Sequence, residues 1–155
     1  MKSVEQDADS INISLSDLKL RGATWNIYIL NFILFFILKI WFRPWVIEQQ
    51  GFDFLKLIAF SFPNYAEAYL GTFTLTTFLI IGRLKSYTWL KNQSDRMIYS
   101  IATALAAIYV ITQEMKFHNL GGENVYDFND VIASIIGLIV IFVMLNVFGL
   151  KLIRN

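Results

Sequence analysis

Five residues stand out for the chemistry they could support: Glu67, Glu114, His118, Asp127 and Asp130. Each lies beside a long apolar run, and an ionisable group close to a membrane's apolar core is costly enough that its presence points to a use. Glu114 and His118 are four apart, so on a continuous helix they share a face, where a carboxylate and an imidazole can pair, move a proton or begin a metal site. Two ligands do not complete a site, and the chain has no second histidine. The pair is equally readable as a solvated surface couple. Asp127-Phe128-Asn129-Asp130 stands just before an apolar run, where short acidic or amide side chains accept the free backbone N–H groups of a helix start and complement its dipole. Capping is the plain explanation of that tetrapeptide, and a working acidic site is the sharper one.

Several chemistries are absent from the sequence. The chain has no cysteine, so thiolate zinc sites, disulfides and a cysteine nucleophile are excluded. Gly-x-Ser-x-Gly, Ser-x-x-Lys and His-Glu-x-x-His do not occur, and Gly121-Gly122 is a turn signal without the lysine of a phosphate-cradling loop. The residues therefore call for no metal and no cofactor. They leave open whether the protein is an enzyme, with the balance towards not.

The elements that must position these residues are set by composition. Of 155 residues 56% are apolar and 16% charged, with 14 Phe, 7 Tyr and 4 Trp, and the mean hydropathy is +0.53. Such a chain has too little polar surface for an ordinary soluble domain. A net charge of +1 likewise lacks the basic face that nucleic acid requires.

Four runs approach the roughly 20 apolar residues that a helix needs to cross a ~30 Å hydrocarbon core: Ala23 to Phe42, Ala66 to Gly82, Met97 to Thr112 and Val131 to Leu150. Arg43-Pro44 reads as the stop of the first. Thr72, Thr74, Thr76 and Thr77 in the second can bond their own backbone or a neighbouring helix, and small residues at Ala102, Thr103, Ala106 and Ala107 and at Ala133 and Gly137 offer close-packing faces. The expected fold is all-α, an integral membrane bundle of four transmembrane helices over residues 23 to 155, preceded by a polar tail at 1 to 22 with a short helical turn at Leu15 to Leu20. Between the first two spans, Phe52 to Phe62 is an apolar stretch of about 11, too short to cross, and is expected to lie along the outer interface with Trp41 and Trp45 as aromatic anchors.

Orientation follows the cations. With both termini cytoplasmic, the inner side carries Lys2, Lys19, Arg21, Arg83, Lys85, Lys91, Arg96, Lys151 and Arg154, and the outer side only Lys39, Arg43, Lys56 and Lys116. The outer face then holds Glu48, Asp53, Glu67, Glu114, Glu123, Asp127 and Asp130 and is net negative.

An acidic residue ending one helix, a polar loop and then Asp-x-x-Asp, two apolar residues and Ala-x-x-x-Gly opening the last helix resembles the VanZ-like family of small polytopic bacterial membrane proteins. Here the pattern reads Glu114, Asp127, Asp130, Val131, Ile132, Ala133, Ser134 and Gly137, with Phe62-Pro63-Asn64-Tyr65 upstream resembling that family's Pro-Asn-aromatic segment. The resemblance spans roughly Ser61 to Ile141. It departs at Phe117, where the family often has Gln, and lacks the family's loop Arg. It implies a protein of the bacterial inner membrane, linked in some members to tolerance of glycopeptides acting on the cell wall, and carries Glu114, Asp127 and Asp130 as its positions. Three functions are then expected to compete. The first is an envelope protein whose outward acidic cluster contacts a lipid-linked cell-wall precursor or lipid headgroup. The second is an interaction subunit or immunity-type protein binding another membrane protein's spans. The third is a lipid-active enzyme using Glu114 or His118 as acid or base.

Overall fold

The structure, a computed structural model, describes residues 18–49, 52–85, 88–114 and 128–154. Among the described residues six α-helices run in order: α1 Ala23–Ile37, α2 Arg43–Glu48, α3 Asp53–Leu84, α4 Thr88–Lys91, α5 Asp95–Glu114 and α6 Phe128–Phe148. Two short strands, β1 Leu18–Arg21 and β2 Lys151–Arg154, pair antiparallel with Leu18 opposite Arg154 and Arg21 opposite Lys151. The helical reading holds, and the ribbon corrects it at both ends of the bundle. Of the turn of helix expected at Leu15 to Leu20, residues 18–20 form a strand and residues 15–17 lie outside the described residues, and the last span ends at Phe148, short of Leu150.

Among the described residues three helices are long and apolar enough to cross a membrane: Ala23–Glu48, Asp95–Gln113 and Phe128–Phe148. The first extends past the expected stop at Phe42. Its continuity rests on a π-helical turn at Leu38–Phe42, in which the Arg43 N–H donates to the Leu38 carbonyl five residues back. A proline ring clashes with the carbonyl four residues before it in a regular helix, and the wider turn makes room for Pro44. Large apolar side chains such as Leu30, Phe36, Ile40, Ile136, Ile139 and Val147 stand on the outside of these helices, an arrangement that suits lipid and not water.

The fourth long helix, α3, is the hub of the bundle, with α6 lying along it most extensively and then α5 and α1. It has 32 residues, about 48 Å at 1.5 Å per residue. The separate interfacial segment expected between the first two spans is therefore absent: Asp53 to Phe62 is the N-terminal third of this helix. The polar interruptions at Asp53 and Lys56 and the proline at 63 suggested a break, yet Pro63 is buried inside an unbroken helix next to buried Ala59 and Ala66. Proline forfeits only one helical donor, which membrane helices tolerate where neighbours enclose the site. The threonines of α3 all bond inward, Thr72, Thr74, Thr76 and Thr77 donating to the carbonyls of Ala68, Leu70, Thr72 and Phe73.

The main core joins Tyr69, Phe73 and Ile80 of α3 to Ile98 and Tyr99 of α5 and Ile141 and Leu145 of α6. α1 closes it with Tyr28, whose ring stacks 4.2 Å from that of Phe73. A second cluster of smaller residues, Ala68, Ala106, Val110 and Leu138, lets α3, α5 and α6 approach closely towards the other end. At the ribbon end, glycines with positive φ at 22 and 149 turn the chain between helix and strand. There Thr24 donates to the Gly149 carbonyl at 2.6 Å and the Leu150 N–H donates to the Tyr99 hydroxyl at 3.1 Å. Arg83 bonds Asp95 at 2.6 Å and the Gln93 carbonyl at 3.2 Å, tying α3 to the start of α5.

Candidate functional site

Of the residues singled out in the sequence, Asp130 and the backbone of Glu114 fall at the bundle end opposite the ribbon, where α3, α5 and α6 converge. α6 begins at Phe128, with Asp130 half-buried in its first turn. One turn further in, the Ser134 hydroxyl reaches the Asn64 carbonyl at 3.4 Å. At Gly137 the helices come closer still: an added Cβ would fall inside contact distance of the Tyr65 carbonyl oxygen and 3.2 Å from the Ala68 Cβ. Ala133, Ser134, Gly137 and Leu138 form the buried face of α6 here, set against Asn64, Tyr65 and Ala68 of α3. The local cause is side-chain size. At residues 133, 134 and 137 α6 presents only a methyl, a hydroxymethyl and a hydrogen, so the two backbones meet there.

This seam joins two stretches of sequence 70 residues apart, Pro63-Asn64-Tyr65 and Asp130 to Gly137, and it fixes where Asp130 stands. α5 reaches the same end. Val110 and Ala106 share the small-residue cluster with Leu138 and Ala68, and α5 ends one turn beyond Val110, at Glu114. Helical rise then places the backbone of Glu114 about 6 Å outward of the Leu138 level, close to the level of Ser134. His118 and Asp127 lie outside the described residues, so the shared Glu114–His118 face does too. Among the described residues no three His, Asp or Glu gather closely enough to hold a metal ion.

Glu67 is set apart from this group. It is exposed on α3, not at a helix start but 14 positions into the helix. It sits three residues inward of Asn64, whereas Asp130 is one turn outward of Ser134, so the two acidic residues differ by about 10 Å along the bundle axis. The seam instead holds two groups that sequence reasoning passed over. The Ser61 and Tyr69 hydroxyls are buried without a hydrogen-bond partner among the described residues. Spaced eight apart on α3, they are donors available to a water or a polar ligand. Their signal in the sequence was the recurrence of polar atoms on the helix face that also carries Tyr65.

A further feature flanks the site. Trp41, Phe42, Pro44 and Trp45 line a shallow groove with Ile37, Ile40 and Glu48 at the far end of the first long helix, and Trp41 and Trp45 are 74% and 50% exposed. Aromatic rings presented in this way suit a membrane–water boundary. The guanidinium of Arg43 lies 4.7 Å from the Phe60 ring and clips this shelf to α3.

No family model matches the chain, and neither a curated protein nor a solved structure matches it.

Proposed function

We propose that the chain is a VanZ-like protein of the bacterial inner membrane with four spans and cytoplasmic termini, whose outer ends of α3, α5 and α6 receive the polar head of a lipid-linked cell-wall precursor or another lipid. The observation that carries this reading is the Ser134–Asn64 contact. It unites the two separated stretches on which the family resemblance rests and sets Asp130 at their common outer rim. The half-buried Asp130, with the Ser61 hydroxyl close to its level and the Tyr69 hydroxyl deeper in the bundle, both without a hydrogen-bond partner among the described residues, would together with Glu114 suit the amines and hydroxyls of a sugar or peptide headgroup.

The four-span reading is supported by parity. β1 precedes the first long helix and β2 follows the last, and the two are paired, so on this reading the chain at residues 18–21 and at 151–154 shares one side of the membrane. Three crossings would separate them. A crossing by α3, which at about 48 Å exceeds a ~30 Å hydrocarbon core, restores the count. The cations Arg83, Lys85, Lys91 and Arg96 fall at the ribbon end, which the positive-inside rule makes cytoplasmic. Cysteines placed at Lys2 and Lys151 are expected to resist an impermeant thiol reagent in intact cells, and labelling of either would overturn the orientation.

The headgroup reading is tested by isolating the protein in mild detergent and identifying bound lipids by mass spectrometry. A lipid-linked precursor or one other lipid class should be enriched with the wild type and lost with Glu114→Gln and Asp130→Asn at unchanged expression. Identical lipid profiles in all three proteins would refute it. The competing reading, a subunit that binds another protein's spans, draws on a different face of α3.

A further inference from the structure

The residues of α3 that face away from α1, α5 and α6 form one stripe. Phe60, Glu67, Gly71, Thr74 and Phe78 are all exposed, and their spacing of seven, four, three and four keeps them within a narrow arc of the helix. Two of these residues, Gly71 and Glu67, have no use among the described residues. A Cβ at Gly71 would meet nothing within 4 Å, so no close approach within the described molecule requires a glycine in the middle of this helix. Glu67 makes no ion pair or side-chain hydrogen bond among the described residues, although it lies at the level where Gly137 meets Tyr65 and Ala68. That level is nine residues past the outer start of α6, about 13 Å into the bundle. A bare carboxylate facing hydrocarbon at that depth calls for a partner.

The first long helix supplies the opposite charge within about one helical turn of that level. Arg43 lies over Phe60, so this edge of the helix borders the stripe and fixes the register of the two antiparallel segments. Lys39 precedes Arg43 by four residues across the π-helical turn, which keeps both on nearly one side, and sits one turn inward. Glu67 is two turns inward of Phe60. The two therefore differ by about 5 Å in depth, well within the reach of their side chains. Lys39 is exposed, its ammonium 5.0 Å from the Phe35 ring, and it makes no ion pair among the described residues.

We propose that this face is an interface between two copies of the chain, related by a two-fold axis along the membrane normal, in which Lys39 of each copy pairs with Glu67 of the partner subunit and Gly71 admits the facing helix. A patch carrying one positive and one negative group at nearly the same depth is complementary to itself under that rotation, because the axis preserves depth and exchanges the two sides. A different protein would have to bring its own matched pair, whereas a second copy carries one already. The interface makes no use of Glu114 or Asp130 and stands whatever the outer rim binds.

The chain has no cysteine, so disulfide trapping in native membranes is free of background. Single Gly71→Cys and Thr74→Cys variants should give disulfide-linked dimers on mild oxidation, and Ile139→Cys on the exposed side of α6 should give at least tenfold less. In the Thr74→Cys background, Lys39→Glu and Glu67→Lys should each reduce trapping about tenfold, and the two together should restore it. Glu67→Gln and Lys39→Gln, milder changes, should each give an intermediate yield. Folding of each variant is followed by size-exclusion chromatography. Trapping at residues 71 and 74 no stronger than at 139, failure of the charge exchange to restore it while the protein remains folded, or capture of a different protein in place of a second copy would overturn the proposal.

Discussion

The two sides of α3 treat glycine and polar groups in opposite ways. On the α6 side, the missing Cβ of Gly137 is what allows the Tyr65 carbonyl to approach, and the Ser134 hydroxyl is spent on the Asn64 carbonyl one turn away. On the exposed side, Gly71 faces open space and Glu67 has no ion partner among the described residues. A glycine in a membrane helix is thus not a packing signal in itself. It becomes one when the atom that would clash can be named, and where none can be named inside the chain the reason is to be sought outside it.

Matched substitutions put this contrast to work. Gly137→Ala should be the most damaging, because its methyl must separate two backbones and not merely turn a flexible side chain aside; about 2 to 3 kcal/mol of destabilisation is expected. Thermal unfolding in detergent measures it, and a loss under 0.5 kcal/mol would show that the seam is looser than its geometry implies. Thr24→Val keeps side-chain shape but removes the donor to the Gly149 carbonyl, at an expected cost of about 1 kcal/mol, since that carbonyl is only partly buried. Gly71→Ala should have the smallest effect on the single chain and the opposite sign, a gain of about 0.5 to 1 kcal/mol from a better helix former with room for its methyl. A loss of stability in the isolated single chain would mean that the stripe is packed in a way the contrast denies.

How much of this could be read from the sequence depends on the length of the signal. Two of the three spans that meet the length and apolarity criteria came from long uncharged runs, and their ends moved by only two or three residues: Asp95–Glu114 against Met97 to Thr112, and Phe128–Phe148 against Val131 to Leu150. The first moved by six because Arg43-Pro44, ordinarily a stop, is absorbed by a π-helical turn. Asp53 to Phe62 was set apart from α3 because charge and proline interrupt its apolar run. The helical spacing of Ala59, Pro63 and Ala66, which all turn out buried, continues through the interruption and was the better guide. The ribbon was harder. Leu18 to Arg21 alternates apolar and charged residues over only four positions, Lys151 to Arg154 does not alternate at all, and a strand that short is legible only beside its partner. For the site, capping and small-residue patterns located Asp130, Ala133 and Gly137. The depth of Glu67 was misjudged because its helix begins 13 residues earlier than the apolar run suggests.

The pairing of Leu18 with Arg154 also imposes an order of events on biosynthesis. A ribosome adds about 5 to 20 residues per second, so roughly 130 residues and about 6 to 26 seconds separate the first strand from its partner. Throughout that interval the backbone donors and acceptors of β1 have no partner of their own, and every intervening helix has time to insert. The ribbon is a late clasp: it closes only once residues 151–154 have been made, and a chain cut before them leaves the first strand as an unmatched edge.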